Sequence, residues 1–168
     1  MILATDVYYF DNKAKAVSVV FENWAAAKPV TTASVLLENV ADYVPGEFYK
    51  RELPCILKVL EKTSLATLDC IIVDGFVYLD DAGKRGLGAY LYDALDQSIP
   101  IIGVAKSSFH QNEKNVKIVL RGESKKPLYV TAAGCDLAKA AENIKAMHGA
   151  YRFPTLLSLL DQETKRGS

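Results

Sequence analysis

An aspartate stands inside the first apolar run of the chain. Residues 2–10, ILATDVYYF, are otherwise β-branched, aromatic or small, apart from Asp6. Aspartate is depleted in strands, and a strand-interior acid is costly unless something pairs with it. The run therefore predicts a buried strand and a partner for Asp6. Asp11-Asn12-Lys13 reads as a turn and residues 16–24 as a second strand, so the chain opens on a hairpin.

Residues 31–40 read as a third strand. Tyr43-Val44-Pro45-Gly46 is a turn, with Pro and then Gly as type II geometry prefers. Residues 51–62 carry apolar side chains at Leu53, Ile56, Leu57 and Leu60, the stripe of an amphipathic helix. Pro54 is expected in the first turn of that helix, where proline is tolerated. Residues 68–73 form a short apolar strand that Asp74-Gly75 stops. A helix over 85–95, a buried strand over 99–105 and a strand pair over 116–120 and 128–131 follow. Two helices, 136–148 and 154–163, close the chain, with His148 near the end of the first. Three antiparallel strands followed by helix–strand units predict an α/β fold, a mixed sheet with helices on its faces. At 168 residues one domain over 1–168 is expected.

Composition limits the function classes. Lys plus Arg equals Asp plus Glu, 20 each, so any nucleic-acid-binding surface requires charge segregated by face. Two histidines argue against a multi-histidine zinc site. Cys55, Cys70 and Cys135 lack CxxC spacing and read as free thiols of a reducing compartment. No apolar run reaches the roughly 20 residues of a membrane span. The expected location is cytoplasmic, with no membrane association and no obligate protein partner.

Three acids sit where a site can form. Asp6 lies in the first strand, Glu52 at a helix start and Asp74 at the end of a buried strand. In a sheet of this order the first and fourth strands are expected neighbours, so their acids can meet. Converging carboxylates repel unless a cation neutralises them, and oxygen-only ligands select hard ions such as Mg²⁺ or Mn²⁺. Each acid also has an ordinary reading. Asp-Gly after a strand is commonly only a turn, and an acid in a first helical turn is favoured by the helix dipole.

The ordered segments Thr5-Asp6-Val7, Tyr43-Val44-Pro45-Gly46, Arg51-Glu52, Val73-Asp74-Gly75, Ile102-Gly103-Val104-Ala105-Lys106, Lys126-Pro127-Leu128-Tyr129-Val130-Thr131 and Tyr151-Arg152-Phe153-Pro154 carry a resemblance. Together they resemble the endonuclease V family, nucleases that act on inosine-containing nucleic acid. The resemblance implies a ribonuclease-H-like fold. It also implies Mg²⁺-dependent hydrolysis, with Mn²⁺ able to substitute, of a phosphodiester 3′ to a deaminated purine in DNA or RNA. On this resemblance Asp6, Glu52, Asp74 and Asp161 are the metal-binding and catalytic acids, and Lys106 meets phosphate or developing charge. Tyr43, Pro45 and Gly46 form a turn that wedges strands apart. Gly75 and Gly103 allow close approach of the substrate base.

The chain departs from the family pattern at two histidines. Phe76-Val77 follows Asp74-Gly75 where the family has histidine and glycine, and Ala133 stands near a second family histidine. The loop 78–85 is longer and holds Asp80 and Asp81 before its basic pair. These changes leave two alternatives open: a nucleic-acid-binding member without cleavage, and a nuclease for another damaged or structured substrate.

Overall fold

A computed structural model of the chain describes all residues except 41, 43, 46, 48, 109–111 and 168. Strand β1 (Ile2–Phe10) turns back into β2 (Lys13–Phe21), which pairs with β3 (Thr31–Leu37). Helix α1 (Tyr49–Leu60) leads to β4 (Cys70–Asp74), and α2 (Leu87–Ala94) to β5 (Ile101–Ala105). The short β6 (Lys117–Val119) precedes β7 (Leu128–Ala133), α3 (Leu137–Ala146) and α4 (Thr155–Lys165). Among the described residues the sheet has seven strands in the order β3-β2-β1-β4-β5-β7-β6. β1, β4 and β5 are mutually parallel, and their neighbours run antiparallel. This is the expected mixed α/β sheet, and the fold is ribonuclease-H-like.

Each sheet face has its own core. Leu3, Val7, Ile71 and Ile101 pack under α1 and α2 with Ile56, Val59, Leu87 and Leu91. Ile2, Ala4, Ile72 and Val104 pack under α3 and α4 with Ile144, Leu156 and Leu160. Strand alternation produces this division, and it places Asp6 and Asp74 with Ala4 and Ile72 on the α4 side.

The ladder between β1 and β4 ends at Thr5 and Val73. β1 continues to Phe10 while β4 stops at Asp74, where Gly75 turns away with φ 121°. The centre of the sheet therefore opens at Asp6.

Several element bounds differ from the sequence expectation. The first turn uses only Asp11 and Asn12, both with positive φ (48° and 61°), so β2 begins at Lys13. This is the two-residue hairpin loop that matches strand twist. α1 begins at Tyr49, so Pro54 lies inside the helix and not in its first turn. Its missing N–H removes the bond to the carbonyl of Lys50. α3 ends at Ala146, and His148 lies beyond it. Its Nδ1 sits 2.9 Å from Thr155 Oγ1, joining the loop to the start of α4 rather than serving the end of α3.

Candidate active site

The parallel strands bring Asp6, Asp74 and Lys106 to one end of the sheet, and α4 covers that end with Asp161. These four residues line one cavity of about 200 Å³. Glu52, 9% exposed in the first turn of α1, approaches from the opposite layer. It comes close enough that the charges of Asp6 and Asp74 act on it.

Charge crowding is the main feature of the site. Burial, and after it the charge of Asp74, pushes the Asp6 carboxyl up to about 7. Asp161 adds to the rise, while the Val7 N–H, 2.8 Å from Asp6 Oδ1, and Lys106 oppose it. Burial, then Asp6 and Asp74, pushes Glu52 up to about 8. Asp74 opens to solvent on one side but is set into the cavity wall; burial raises it, Lys106 opposes and Asp161 adds. Asp161 Oδ2 accepts from Lys165 Nζ at 3.2 Å.

Among the described residues no three His, Cys, Asp or Glu side chains are arranged to hold a metal ion together. The acids come near enough to interact through their charges without forming a closed chelate. The donor set still fits a hard divalent cation: every candidate ligand is a carboxylate oxygen, and the acids outnumber the one lysine that lines the cavity with them.

Gly103 also has a structural role. A Cβ there would stand 2.5 Å from the Gly75 carbonyl oxygen and 2.6 Å from Thr131 Oγ1. Gly103 therefore makes room for the chain's own turn after Asp74. The same turn is held by Val77 N–H donating to Thr131 Oγ1 at 2.8 Å and by Gly75 N–H donating to Val104 O at 3.0 Å. Pro45 is exposed at its turn. Tyr43 and Gly46, expected beside it in the wedge, lie outside the described residues, as does His110.

Several residues at the cavity were not singled out from the sequence. Phe153, Leu157, Ser158 and Gln162 line it together with the acids. Their signal was the spacing 157, 158, 161, 162 on one helix, which places them on one face with Asp161. Arg121 is 4% exposed and donates to the carbonyls of Lys145, Met147, Gly149, Tyr151 and Arg152, fixing the loop before α4. A lone arginine after a short strand gives no such signal.

A model of the endonuclease V family matches residues 1–162. The chain belongs to the endonuclease V family. No curated protein sequence matches it. Solved structures of endonuclease V proteins share its fold. A variant of Ciona intestinalis endonuclease V, in complex with a 23mer DNA containing an inosine followed by a ribo-adenosine, matches with a TM-score of 0.80 at 20% identity, covering 98% of this chain and 83% of that one. Human endonuclease V matches with a TM-score of 0.75 at 21% identity, covering 98% and 82%. Endonuclease V from Streptomyces avermitilis matches with a TM-score of 0.73 at 25% identity, covering 98% and 79%.

The positions where this chain departs from the family pattern have structural roles of their own. Val77 is fully buried under α2. Residues 78–85 form a small hairpin through a Tyr78–Arg85 bridge. Asp81 Oδ1 accepts from the N–H groups of Glu113 and Lys114, and Asn112 Nδ2 donates to Tyr78 O. Asp80 and Asp81 thus organise the loop. Ala133 pairs with Ile101, at the opposite end of β5 from Lys106, and packs in the α1–α2 core. It is therefore not beside the acids. No helix of the described residues is long and apolar enough to cross a membrane.

Proposed function

We propose that this protein is a divalent-metal-dependent endonuclease that hydrolyses a phosphodiester 3′ to inosine or deoxyinosine in nucleic acid. One observation carries the reading: a chain of the endonuclease V family gathers Asp6, Glu52, Asp74, Asp161 and Lys106 around one end of its sheet. Asp6, Glu52 and Asp74, with Asp161 beside them, would hold Mg²⁺ or Mn²⁺. When bound, such an ion supplies an activated water and neutralises charge on the leaving oxygen.

The chain's own groups do the rest. The Lys106 ammonium, at the mouth of the same cavity, attracts the phosphate and balances charge that builds on it. Glu52 is screened from water by its layer, which strengthens each charge interaction across the opening. Thr131 and Gly103 fix the turn that follows Asp74, so this carboxylate is held in place before substrate arrives.

Phe76 and the pinned hairpin over 78–85 favour a second reading, in which cleavage persists on a different damaged or structured substrate. Incubation of the folded protein with DNA and RNA containing inosine, with Mg²⁺ or Mn²⁺, tests the first reading. Cleavage near inosine is expected. Cleavage confined to other lesions supports the second reading, and binding without cleavage by any metal refutes both.

A further inference from the structure

The cavity that Asp6, Asp74 and Asp161 line extends into a chamber whose apolar walls cannot ligate a metal. Its remaining walls are apolar: Phe153 from the loop, Leu157 and Leu160 from α4, and Ile72 and Val104 from the sheet next to Asp74. Ser158 and Gln162 add polar groups. At about 200 Å³ the space is smaller than the roughly 300 Å³ at which pockets for whole drug-sized ligands begin. This volume includes the end lined by the acids, so the space matches one heterocycle better than a whole drug-sized ligand.

The chamber is a built feature. Phe153 has the Lys106 ammonium 5.0 Å and the Arg152 guanidinium 5.3 Å from its ring centroid. Arg152 in turn donates to the carbonyls of Lys106 (2.6 Å) and Pro127 (2.8 Å). Arg121 holds the loop just before Phe153 by its backbone. The aromatic wall and the phosphate-seeking lysine are therefore locked to one another.

A ligand suited to this space carries an anionic group for Lys106 and, joined to it through a short spacer such as a pentose, a flat body with apolar faces and a hydrogen-bonding edge. A nucleotide of the cleaved strand has this chemistry. We propose that the chamber between β1, β4 and α4 is a base subsite, which takes one nucleobase flanking the cleaved phosphodiester against Phe153, with Ser158 and Gln162 at its edge. This rests on the nuclease reading above and adds a second point of recognition to it.

The test is binding, measured by fluorescence anisotropy of labelled inosine oligonucleotides without cleavage, in a series with an abasic residue moved through each position near the inosine. Base contact with aromatic side chains is commonly worth about 1–3 kcal/mol. Wild type is expected to bind about tenfold more weakly when one particular position is abasic. Phe153→Ala should bind the intact strand about tenfold more weakly and lose sensitivity to that one position. Phe153→Leu, which keeps the apolar wall, should fold and fall between them. Ser158→Ala with Gln162→Ala should alter which base is preferred there. If Phe153→Ala weakens every oligonucleotide equally, or wild type ignores all abasic positions, the subsite is overturned. Absence of cleavage with the position-specific binding pattern intact would overturn the nuclease reading and leave the subsite standing.

Discussion

Asp74 and Asp6 share the α4 side of the sheet, but they differ in what neutral replacement would do. Asp74 lies at a strand end and its charge crowds the site. Asp74→Asn is therefore expected to abolish cleavage and Mg²⁺ binding while leaving the thermal midpoint unchanged or higher, as calorimetry with and without Mg²⁺ would show. Unfolding of the variant without metal would mean the acid is structural. Lys106→Ala should weaken oligonucleotide binding and reduce the slope of log K against log salt by about 1, in keeping with one lost phosphate contact. An unchanged slope would remove Lys106 from the strand path. Asp6 was legible in the sequence because an acid inside an apolar strand demands an explanation. Asp161 was not legible alone, since an acid on a final helix is most often solvated. The burial of Glu52 was equally hidden, because a first-turn acid usually faces water.

At the level of elements, the turn between β4 and α2 decides where Asp74 points. Gly103 on β5 leaves room for that turn, and its neighbours there are a backbone oxygen and a buried hydroxyl, neither of which moves easily. Gly103→Ala should therefore lower stability by about 1–3 kcal/mol in urea unfolding and reduce cleavage by displacing Asp74. A variant as stable and as active as wild type would show that the turn yields freely. The sequence offered Gly103 as a site for substrate approach because a glycine at a strand end does not reveal whose backbone it admits. Strand identities, the opening hairpin, the β1–β4 neighbours and the β6–β7 pair were readable from alternation, turns and apolar runs, but the pairing of β5 with β7 was not. Strand ends were less readable. β2 begins three residues before the expected start because a two-residue turn wastes no chain, and α1 accommodates Pro54 inside it against local preference.

Across the whole molecule, stability and metal binding are linked through the buried acids. Folding raises Asp6 to about 7 and Glu52 to about 8. A carboxyl with a raised value binds its proton more tightly in the folded chain. Its contribution is full below the unfolded value, about 4, and is lost as pH rises through the folded value. The metal-free protein should therefore lose stability between about pH 4 and pH 8. Mg²⁺ or Mn²⁺ at pH 8 should restore it by binding the folded state, and EDTA should reverse the gain. Differential scanning fluorimetry across that range checks both effects; a midpoint that climbs from pH 5 to pH 8 without metal would contradict the crowding. The balanced total charge concealed this feature, because composition sums the acids that the fold collects at one place.

The premature end of β4 leaves a gap inside the sheet rather than at its rim. Val7, two residues beyond the last position at which β1 pairs with β4, gives its N–H to the Asp6 carboxylate. Asp6 thus acts as a plug for the open backbone as well as a bearer of charge, and the two duties separate by replacement. Asparagine can still accept that proton; alanine cannot. The Val7 amide should exchange slowly with deuterated solvent in wild type and in Asp6→Asn, and quickly in Asp6→Ala, whether or not either variant retains activity.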